Sequence, residues 1–382
     1  MNTVTFVPKH GDAVTLSALG LGVMRMPTVE GKTGAPIDRK TATEMIDLAV
    51  ESGINYYDTA YIYHGGESES FLGEALVDRY DRDSFYLASK YNIALCPADY
   101  RAVFEEQLSR LHTDRIDFYL IHALTDDKEE DYLSSGCIEY FEQMRKEGKI
   151  RYLGFSSHAS PTVLAHFADA HPWDFAQIQY NYLDCIMGNA EEQYEILASR
   201  GIPVVVMEPV RGGRLAKLNE RAETMLRAKA PDRSMAGWAL RFVANKPAVH
   251  VVLSGMSTPD QLKDNIKTFS SPLPYLSDSE EKAILAAAEI FRKDVFAACT
   301  GCRYCVDGCP SGIEIPDMMT LFNAYRLDGA GRLKRTAKDR DKKSFLDCIG
   351  CGACDTVCPQ SVAVSDAMKE MTEKAAPFLA EE

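Results

Sequence analysis

The 382-residue sequence predicts an α/β fold, a (β/α)8 TIM barrel followed by a small cysteine-rich domain. Between about residues 15 and 270, eight short apolar runs alternate with amphipathic stretches. Buried strands that alternate with helices are typical of a parallel sheet, and eight such units favour a closed barrel. Eight of the eleven cysteines lie beyond residue 298. We therefore predict a barrel over 1–275, a helical connector over 276–296 and a cysteine domain over 297–382.

The elements follow from residue patterns along the chain. Segment 4–17 predicts a hairpin ahead of the barrel, with its turn at His10-Gly11-Asp12. Apolar residues recur with helical spacing over Asp38–Gly53, with Asp38 suited to the N-cap. An open dinucleotide-binding sheet is disfavoured, because "GLGVMR" lacks the third glycine of that motif. The eight predicted strands are 19–23, 54–58, 85–89, 116–122, 151–156, 175–180, 202–207 and 250–254.

Composition excludes several classes of partner. Hydrophobic residues make up 46% of the chain and the formal net charge is −14, which argues against a nucleic-acid partner. The sequence has neither a signal-peptide pattern nor an apolar run of about 20 residues, so no membrane contact is expected. Clustered cysteines favour metal binding in a reducing compartment. The predicted location is the cytoplasm.

Four polar residues follow three consecutive predicted strands. Asp58 and Tyr63 follow the second strand, Lys90 ends the third and His122 ends the fourth. An ammonium group beside a phenol eases proton release from a group whose usual pKa is about 10. A carboxylate would hold the ammonium, and an imidazole would polarise a carbonyl. The pattern predicts a proton-donor site, with Tyr61 as an alternative donor.

Six short motifs lie between about residues 15 and 270: "LGLGVMRM", "DTAYIYHGGESE", "YLIH", "RYLGFSS", "QIQYN" and "TPDQLKDN". In these motifs the sequence resembles the aldo-keto reductase family. It implies that Asp58, Tyr63, Lys90 and His122 are the catalytic tetrad, and the family's spacing selects Tyr63 over Tyr61. It also implies hydride transfer from NADPH or NADH to an aldehyde or ketone, which is a small-molecule carbonyl substrate.

The resemblance implies cofactor contacts as well. Ser156, Ser157 and Gln177 would bind the nicotinamide amide, with Gln179 as an alternative to Gln177. Met207 stands where many relatives stack an aromatic ring on the nicotinamide. Gln261 and Gly255 replace an arginine and a lysine that bind a 2′-phosphate in some relatives, which leaves NADH open beside NADPH. The remaining contacts would come from Arg214, Ser254 and Asn265.

The C-terminal cysteines form two motifs, "CTGCRYCVDGCP" and "CIGCGACDTVCP". This Cys-x2-Cys-x2-Cys-x3-Cys-Pro spacing is that of bacterial ferredoxins with two [4Fe–4S] clusters, in which the fourth cysteine ligates the other cluster. Zinc ribbons would leave the third and fourth cysteines and the prolines unexplained. The first cysteine set is therefore predicted as Cys299, Cys302, Cys305 and Cys358. The second cysteine set is predicted as Cys309, Cys348, Cys351 and Cys354.

The barrel and the cysteine domain are expected to carry out different kinds of electron transfer. Nicotinamide transfers two electrons as hydride, whereas an iron–sulfur cluster transfers one, so a flavin would be needed to couple them directly. No sequence motif supports a flavin. The alternatives are a redox-sensing or binding barrel with structural clusters, or a flavin-linked electron-transfer enzyme. A basic stretch at 332–343 is expected to be solvated surface, with docking of an acidic redox partner protein or binding of a nucleotide phosphate as the alternatives.

Overall fold

The computed structural model describes residues 1–31, 35–96, 99–299, 301–306, 308–339, 341–358 and 360–379. Asp307, Arg340 and Pro359, which belong to the cysteine motifs and the basic stretch, lie outside these ranges. The ten strands within these ranges are β1 Thr3–Phe6, β2 Val14–Ser17, β3 Leu19–Gly22, β4 Tyr56–Asp58, β5 Tyr86–Tyr91, β6 Ile116–Leu124, β7 Ile150–Ser157, β8 Phe175–Gln179, β9 Val204–Met207 and β10 Val249–Ser254.

Sixteen α-helices occur among the described residues. They are α1 Arg39–Glu51, α2 Glu67–Leu72, α3 Tyr100–Arg110, α4 Glu129–Ser134, α5 Cys137–Lys146, α6 Pro161–Ala170, α7 Tyr182–Met187, α8 Ala190–Ser199, α9 Glu220–Lys229, α10 Met235–Ala244, α11 Pro259–Phe269, α12 Asp278–Val295, α13 Ile315–Asp328, α14 Leu333–Lys338, α15 Ala353–Thr356 and α16 Val364–Leu379. Helix α1 begins as predicted, with the Asp38 carboxylate accepting the backbone N–H of Thr41.

Strands β3 to β10 form a closed parallel barrel, which confirms the predicted fold. Its order is β10-β3-β4-β5-β6-β7-β8-β9. All eight predicted strands are present, although the first is shorter than predicted because Val23 already begins a 3-10 turn. Gly154 lets β7 approach β8 closely, since a side chain there would meet Phe175 at 2.6 Å. Close parallel pairing carries the C-terminal ends of all strands to one face.

The predicted hairpin fills the opposite end of the barrel. Strands β1 and β2 pair antiparallel, and Gly11 in the turn between them has a φ of +81°. Phe6 is fully buried and packs edge-on against Phe118, Tyr152 and Phe175, with ring centroids 5.2, 5.1 and 6.4 Å away. These aromatic side chains fill this end of the barrel, so a site can form at the other end, where the strands have their C-terminal ends.

The chain divides into two compact units. The first comprises Met1–Lys217 and Arg227–Leu285, and the second comprises Leu218–Leu226 and Ala286–Glu382. In the second unit, side chains from α13, α14 and α16 bury a separate core that includes Met319, Leu333 and Met371. Within the described ranges, no helix has the length and apolar character needed to cross a membrane.

Candidate active site and cysteine sites

The barrel places the four predicted tetrad residues on neighbouring elements at the C-terminal strand ends. Asp58 is the last residue of β4, and Tyr63 begins a short 3-10 turn that follows it. Lys90 and His122 lie near the ends of β5 and β6. Because β4, β5 and β6 are adjacent and parallel, side chains distant in sequence meet at one place.

Lys90 connects the members of this group. Its fully buried ammonium donates to Asp58 Oδ1 at 2.6 Å and to the Thr59 carbonyl at 2.6 Å. The same nitrogen lies 5.1 Å from the centroid of the Tyr63 ring. Burial alone would lower the pKa of Lys90, but Asp58 and Tyr63 outweigh burial, so the pKa is raised. Lys90 is therefore a fixed positive charge beside the phenol.

Tyr63 and His122 have complementary protonation states. Burial raises the pKa of Tyr63, and the nearby Lys90 ammonium opposes that rise. Shielding from water, together with the charges of Lys90 and His158, lowers the pKa of His122 to about 3. The two rings meet edge to face with centroids 5.9 Å apart. A protonated phenol thus lies beside a neutral imidazole, an arrangement that can donate a proton to a polarised oxygen.

The alternative donor, Tyr61, lies in a different environment. Its hydroxyl donates to Glu106 Oε2 of α3 at 2.8 Å, and the Arg110 guanidinium lies 4.1 Å from its ring centroid. Burial and the bond to Glu106 raise the pKa of Tyr61. Its hydroxyl is therefore committed to an ionic pair on α3, whereas Tyr63 faces Lys90.

A buried polar network that was not predicted from the sequence supports Lys90. Gln107 Nε2 donates to Glu69 Oε1 at 2.8 Å, to Ser89 Oγ at 2.9 Å and to the Lys90 carbonyl at 3.1 Å. Tyr119 donates to the amide oxygen of Gln107 at 2.6 Å. These contacts fix the backbone that carries Lys90. The only sequence signal was Glu69 inside the "GGESE" stretch, which does not by itself reveal burial.

The predicted nicotinamide contacts gather on β7, β8 and β9. Ser156 and Gln177 are partners in the β7–β8 register, and both are buried. Gln177 Nε2 contacts Met207 Sδ at 3.5 Å, while its buried Oε1 has no hydrogen-bond partner among the described residues. Ser157 Oγ accepts the Ala159 N–H at 3.1 Å. An unpartnered amide oxygen beside hydroxyl groups fits a carboxamide ligand.

The remaining predicted cofactor residues lie after β9 and β10. Asn265 donates to Ser254 Oγ at 2.9 Å, and both residues are buried. Gln261 accepts the Ser257 N–H at 2.8 Å. Arg214 lies in the 3-10 segment Arg211–Ala216, and the alternative glutamine, Gln179, donates to Asp184 at 2.7 Å.

Arg25 also belongs to this region and was not among the predicted site residues. Its guanidinium lies 3.3 Å from Glu208 Oε1. Its side-chain carbons lie 3.2 Å from the point where a Cβ on Gly255 would stand. Glycine at 255 therefore leaves room for Arg25 beside the strand ends. The signal was its place in "LGLGVMRM", directly after the first barrel strand.

In the second unit, the structure separates the eight motif cysteines into two pockets. One pocket is lined by the first cysteine set and the other by the second cysteine set, so each motif contributes three cysteines to one pocket and one to the other. Over the described ranges, no three Cys, His, Asp or Glu side chains converge closely enough to hold a single metal ion. Four thiols around one pocket are a donor set that suits an iron–sulfur cluster.

Thiol environments differ between the two pockets. Burial, followed by neighbouring cysteines that include Cys358, raises the pKa of Cys305. Burial, followed by the Asp355 carboxylate, raises the pKa of Cys354 to about 11.

The basic stretch at 332–343 is exposed at Lys338. Its charge is partly neutralised, since Arg332 pairs with Asp328 at 2.6 Å and Lys343 pairs with Asp347 at 3.1 Å.

Comparison with known proteins agrees with both parts of the chain. The model of the aldo/keto reductase family matches residues 18–286, and the model of the 4Fe-4S dicluster domain matches residues 298–363. An uncharacterized oxidoreductase of Bacillus subtilis, YqkF, is 29% identical over 74% of this chain and 95% of its own length.

Solved structures resemble the barrel. The holo form of aldo-keto reductase AKR11C1 from Bacillus halodurans is 29% identical, with a TM-score of 0.62 over 75% of this chain and 96% of that one. An aldo/keto reductase from Klebsiella pneumoniae, solved with NADP and acetate, shares the fold at 23% identity. Its TM-score is 0.59, over 75% of this chain and 96% of that chain. The chain is an oxidoreductase that belongs to the aldo/keto reductase family and carries a 4Fe-4S dicluster domain after its barrel.

Proposed function

We propose that the barrel reduces an aldehyde or ketone, with NADPH or NADH as the hydride source and Tyr63 as the proton donor. The observation that carries this proposal is the buried Lys90 ammonium, 2.6 Å from Asp58 Oδ1 and 5.1 Å from the Tyr63 ring centroid. A fixed cation beside a phenol stabilises the phenolate that remains after proton transfer.

Each residue at the strand ends has its own role in the proposed reaction. Tyr63 donates the proton to the carbonyl oxygen, and the neutral His122 imidazole hydrogen-bonds and orients that oxygen. Asp58 keeps Lys90 in place. When bound, the nicotinamide supplies the hydride. Ser156, Ser157 and Gln177 would hold its carboxamide beside Met207, and Arg214, Ser254, Gly255, Gln261 and Asn265 would hold the rest of the dinucleotide.

We further propose that the cysteine domain, assigned to 297–382 after the connector at 276–296, binds two [4Fe–4S] clusters. The first and second cysteine sets would each hold one, because each set lines its own pocket. Such clusters supply one-electron transfer when bound. They would serve exchange with a redox partner protein, since hydride chemistry in the barrel does not require them.

Replacement of Tyr63 tests the proposed reaction. Tyr63→Phe removes the proton donor and keeps the ring, so kcat/KM for carbonyl reduction should fall by about 10²- to 10⁴-fold. Tyr61→Phe is the matched control and should change kcat/KM by less than about 10-fold, since Tyr61 bonds to Glu106. The assay follows oxidation of NADPH and of NADH with a panel of aldehydes and ketones. Full activity of Tyr63→Phe would exclude the assigned donor.

A further inference from the structure

The two cysteine motifs share their spacing but differ in charge. The residue after the third cysteine is Val306 in the first motif and Asp355 in the second. Arg303 lines the pocket of the first cysteine set and pairs with Glu314 at 2.8 Å. Among the described residues, no charged side chain lines the pocket of the second set. Asp355, however, follows Cys354 of that set in the sequence, and the two side chains are in contact.

The position of the Asp355 carboxylate is fixed by α16. Its Oδ1 accepts the backbone N–H of Ser365 at 3.0 Å, and its Oδ2 accepts the Ser365 hydroxyl. Both bonds come from the first turn of the helix and do not involve a cysteine. The carboxylate is therefore held in place whether or not Cys354 carries a proton.

Cys354 Sγ lies 3.7 Å from Asp355 Oδ1. A thiol at this distance donates weakly to the carboxylate. A cysteine that ligates iron is a thiolate and has no proton to donate. In the loaded protein, the carboxylate would then lie against a sulfur that shares the negative charge of its cluster.

Reduction of a cluster adds one more negative charge. A like charge nearby opposes this step, and net charge near the sulfurs is one of the factors that set the potential of an iron–sulfur cluster. The separation of 3.7 Å is well below the Debye length of about 8 Å at physiological ionic strength, so salt screens the repulsion incompletely.

We propose that Asp355 lowers the reduction potential of the cluster bound by the second cysteine set and so makes the two clusters inequivalent. This inference rests on the proposed function of the cysteine domain as a two-cluster site. Asp355 acts as a positioning residue through Cys354 and is not itself a ligand. The step concerned is the addition of one electron to the cluster, supplied in the test by dithionite.

Asp355→Asn tests the proposal, because asparagine keeps the shape and an oxygen acceptor for Ser365. Redox titration with dithionite, followed by EPR, should show one midpoint potential becoming more positive. A tenfold gain in the reduction equilibrium, about 59 mV for one electron, is the expected scale. The shifted midpoint should be the one that Cys351→Ser abolishes. Glu373→Gln removes an equal charge from the exposed face of α16 and should shift neither midpoint.

Three results would overturn the proposal. The first is an unchanged pair of midpoints with about eight iron atoms per chain retained, which is the content of two four-iron clusters. The second is a shift confined to the cluster of the first cysteine set. The third is loss of the second cluster in both Asp355→Asn and Asp355→Ser, which would make Asp355 necessary for assembly only. A wild-type protein without two clusters would instead refute the proposed function of the domain.

Discussion

Lys90 is the residue on which the proposed site depends most. It is fully buried, yet it remains charged because the Asp58 carboxylate lies 2.6 Å away. An unpaired charge at this depth would be strongly unfavourable, so Asp58 serves the fold and the chemistry together. Tyr63 and His122 then take their proton states from burial and from the same cation.

His122 predicts a pH dependence of stability. Its pKa in the folded chain, about 3, lies below the usual value of 6.5. Between these values the unfolded chain takes up a proton that the folded chain does not, so the free energy of unfolding falls as the pH drops below about 6.5. His122→Gln should make the decline from pH 6.5 to 5 smaller than in the wild type.

Tryptophan fluorescence during denaturant unfolding measures this effect in the barrel, because Trp173 and Trp238 both lie in the first unit. His166→Gln, which replaces an exposed histidine paired with Glu129, is the control and should not reduce the decline. An equal decline in His122→Gln and in the wild type would contradict the assigned neutral imidazole.

Sequence patterns identified the predicted tetrad residues one by one, because each of them lies at or just after the end of a predicted strand. They did not reveal the environment of Glu69, which has no exposed surface and bonds to Ser89 and Gln107. Those partners are 20 and 38 residues away in sequence. The burial of such a carboxylate can be recognised only in the folded structure, where the strand register brings its partners together.

The strands and helices were the most predictable level of the structure. Strands buried on both faces form continuous apolar runs, and all eight barrel runs were visible for that reason. Boundaries were less predictable, because β4 begins at Tyr56 although the apolar run begins at Ile54. Ile54 remains buried in the loop before the strand, and burial alone does not distinguish loop from strand.

The linings of the two cysteine pockets predict that each motif supplies one ligand to the cluster held mainly by the other motif. Cys309 and Cys351 line the same pocket although they belong to different motifs, whereas Cys302 shares a motif with Cys309 and lines the other pocket. The double variant Cys309→Ser with Cys351→Ser should therefore lose one cluster and keep about four iron atoms. The double variant Cys309→Ser with Cys302→Ser should disturb both clusters.

Iron and sulfide analysis of anaerobically purified protein, together with EPR, measures this difference. Both variants remove two thiols, so the comparison is matched in the number of ligands lost. If Cys309→Ser with Cys302→Ser retained one intact cluster while the other pair lost both, each motif would supply its own cluster and the exchange would be wrong.

The whole molecule joins an aldo/keto reductase barrel to a 4Fe-4S dicluster domain in one chain. The barrel has the buried ion pair, phenol and imidazole suited to hydride and proton transfer, and the second unit has two four-cysteine pockets suited to one-electron carriers. Direct coupling of the two would need a flavin, for which the sequence carries no motif. The account proposed above, in which hydride carries both electrons from the nicotinamide to the substrate, needs no electrons from the clusters.

Isotope transfer tests that account most directly. NADH or NADPH carrying deuterium at the transferring position of nicotinamide C4 is incubated anaerobically with the full-length protein and an accepted carbonyl compound, and the alcohol is analysed by mass spectrometry. Direct hydride transfer predicts about one deuterium on the former carbonyl carbon of each product molecule, because hydride moves as a unit. Product without deuterium, formed at the same rate, would mean that the electrons travelled by another route and would contradict the proposed reaction.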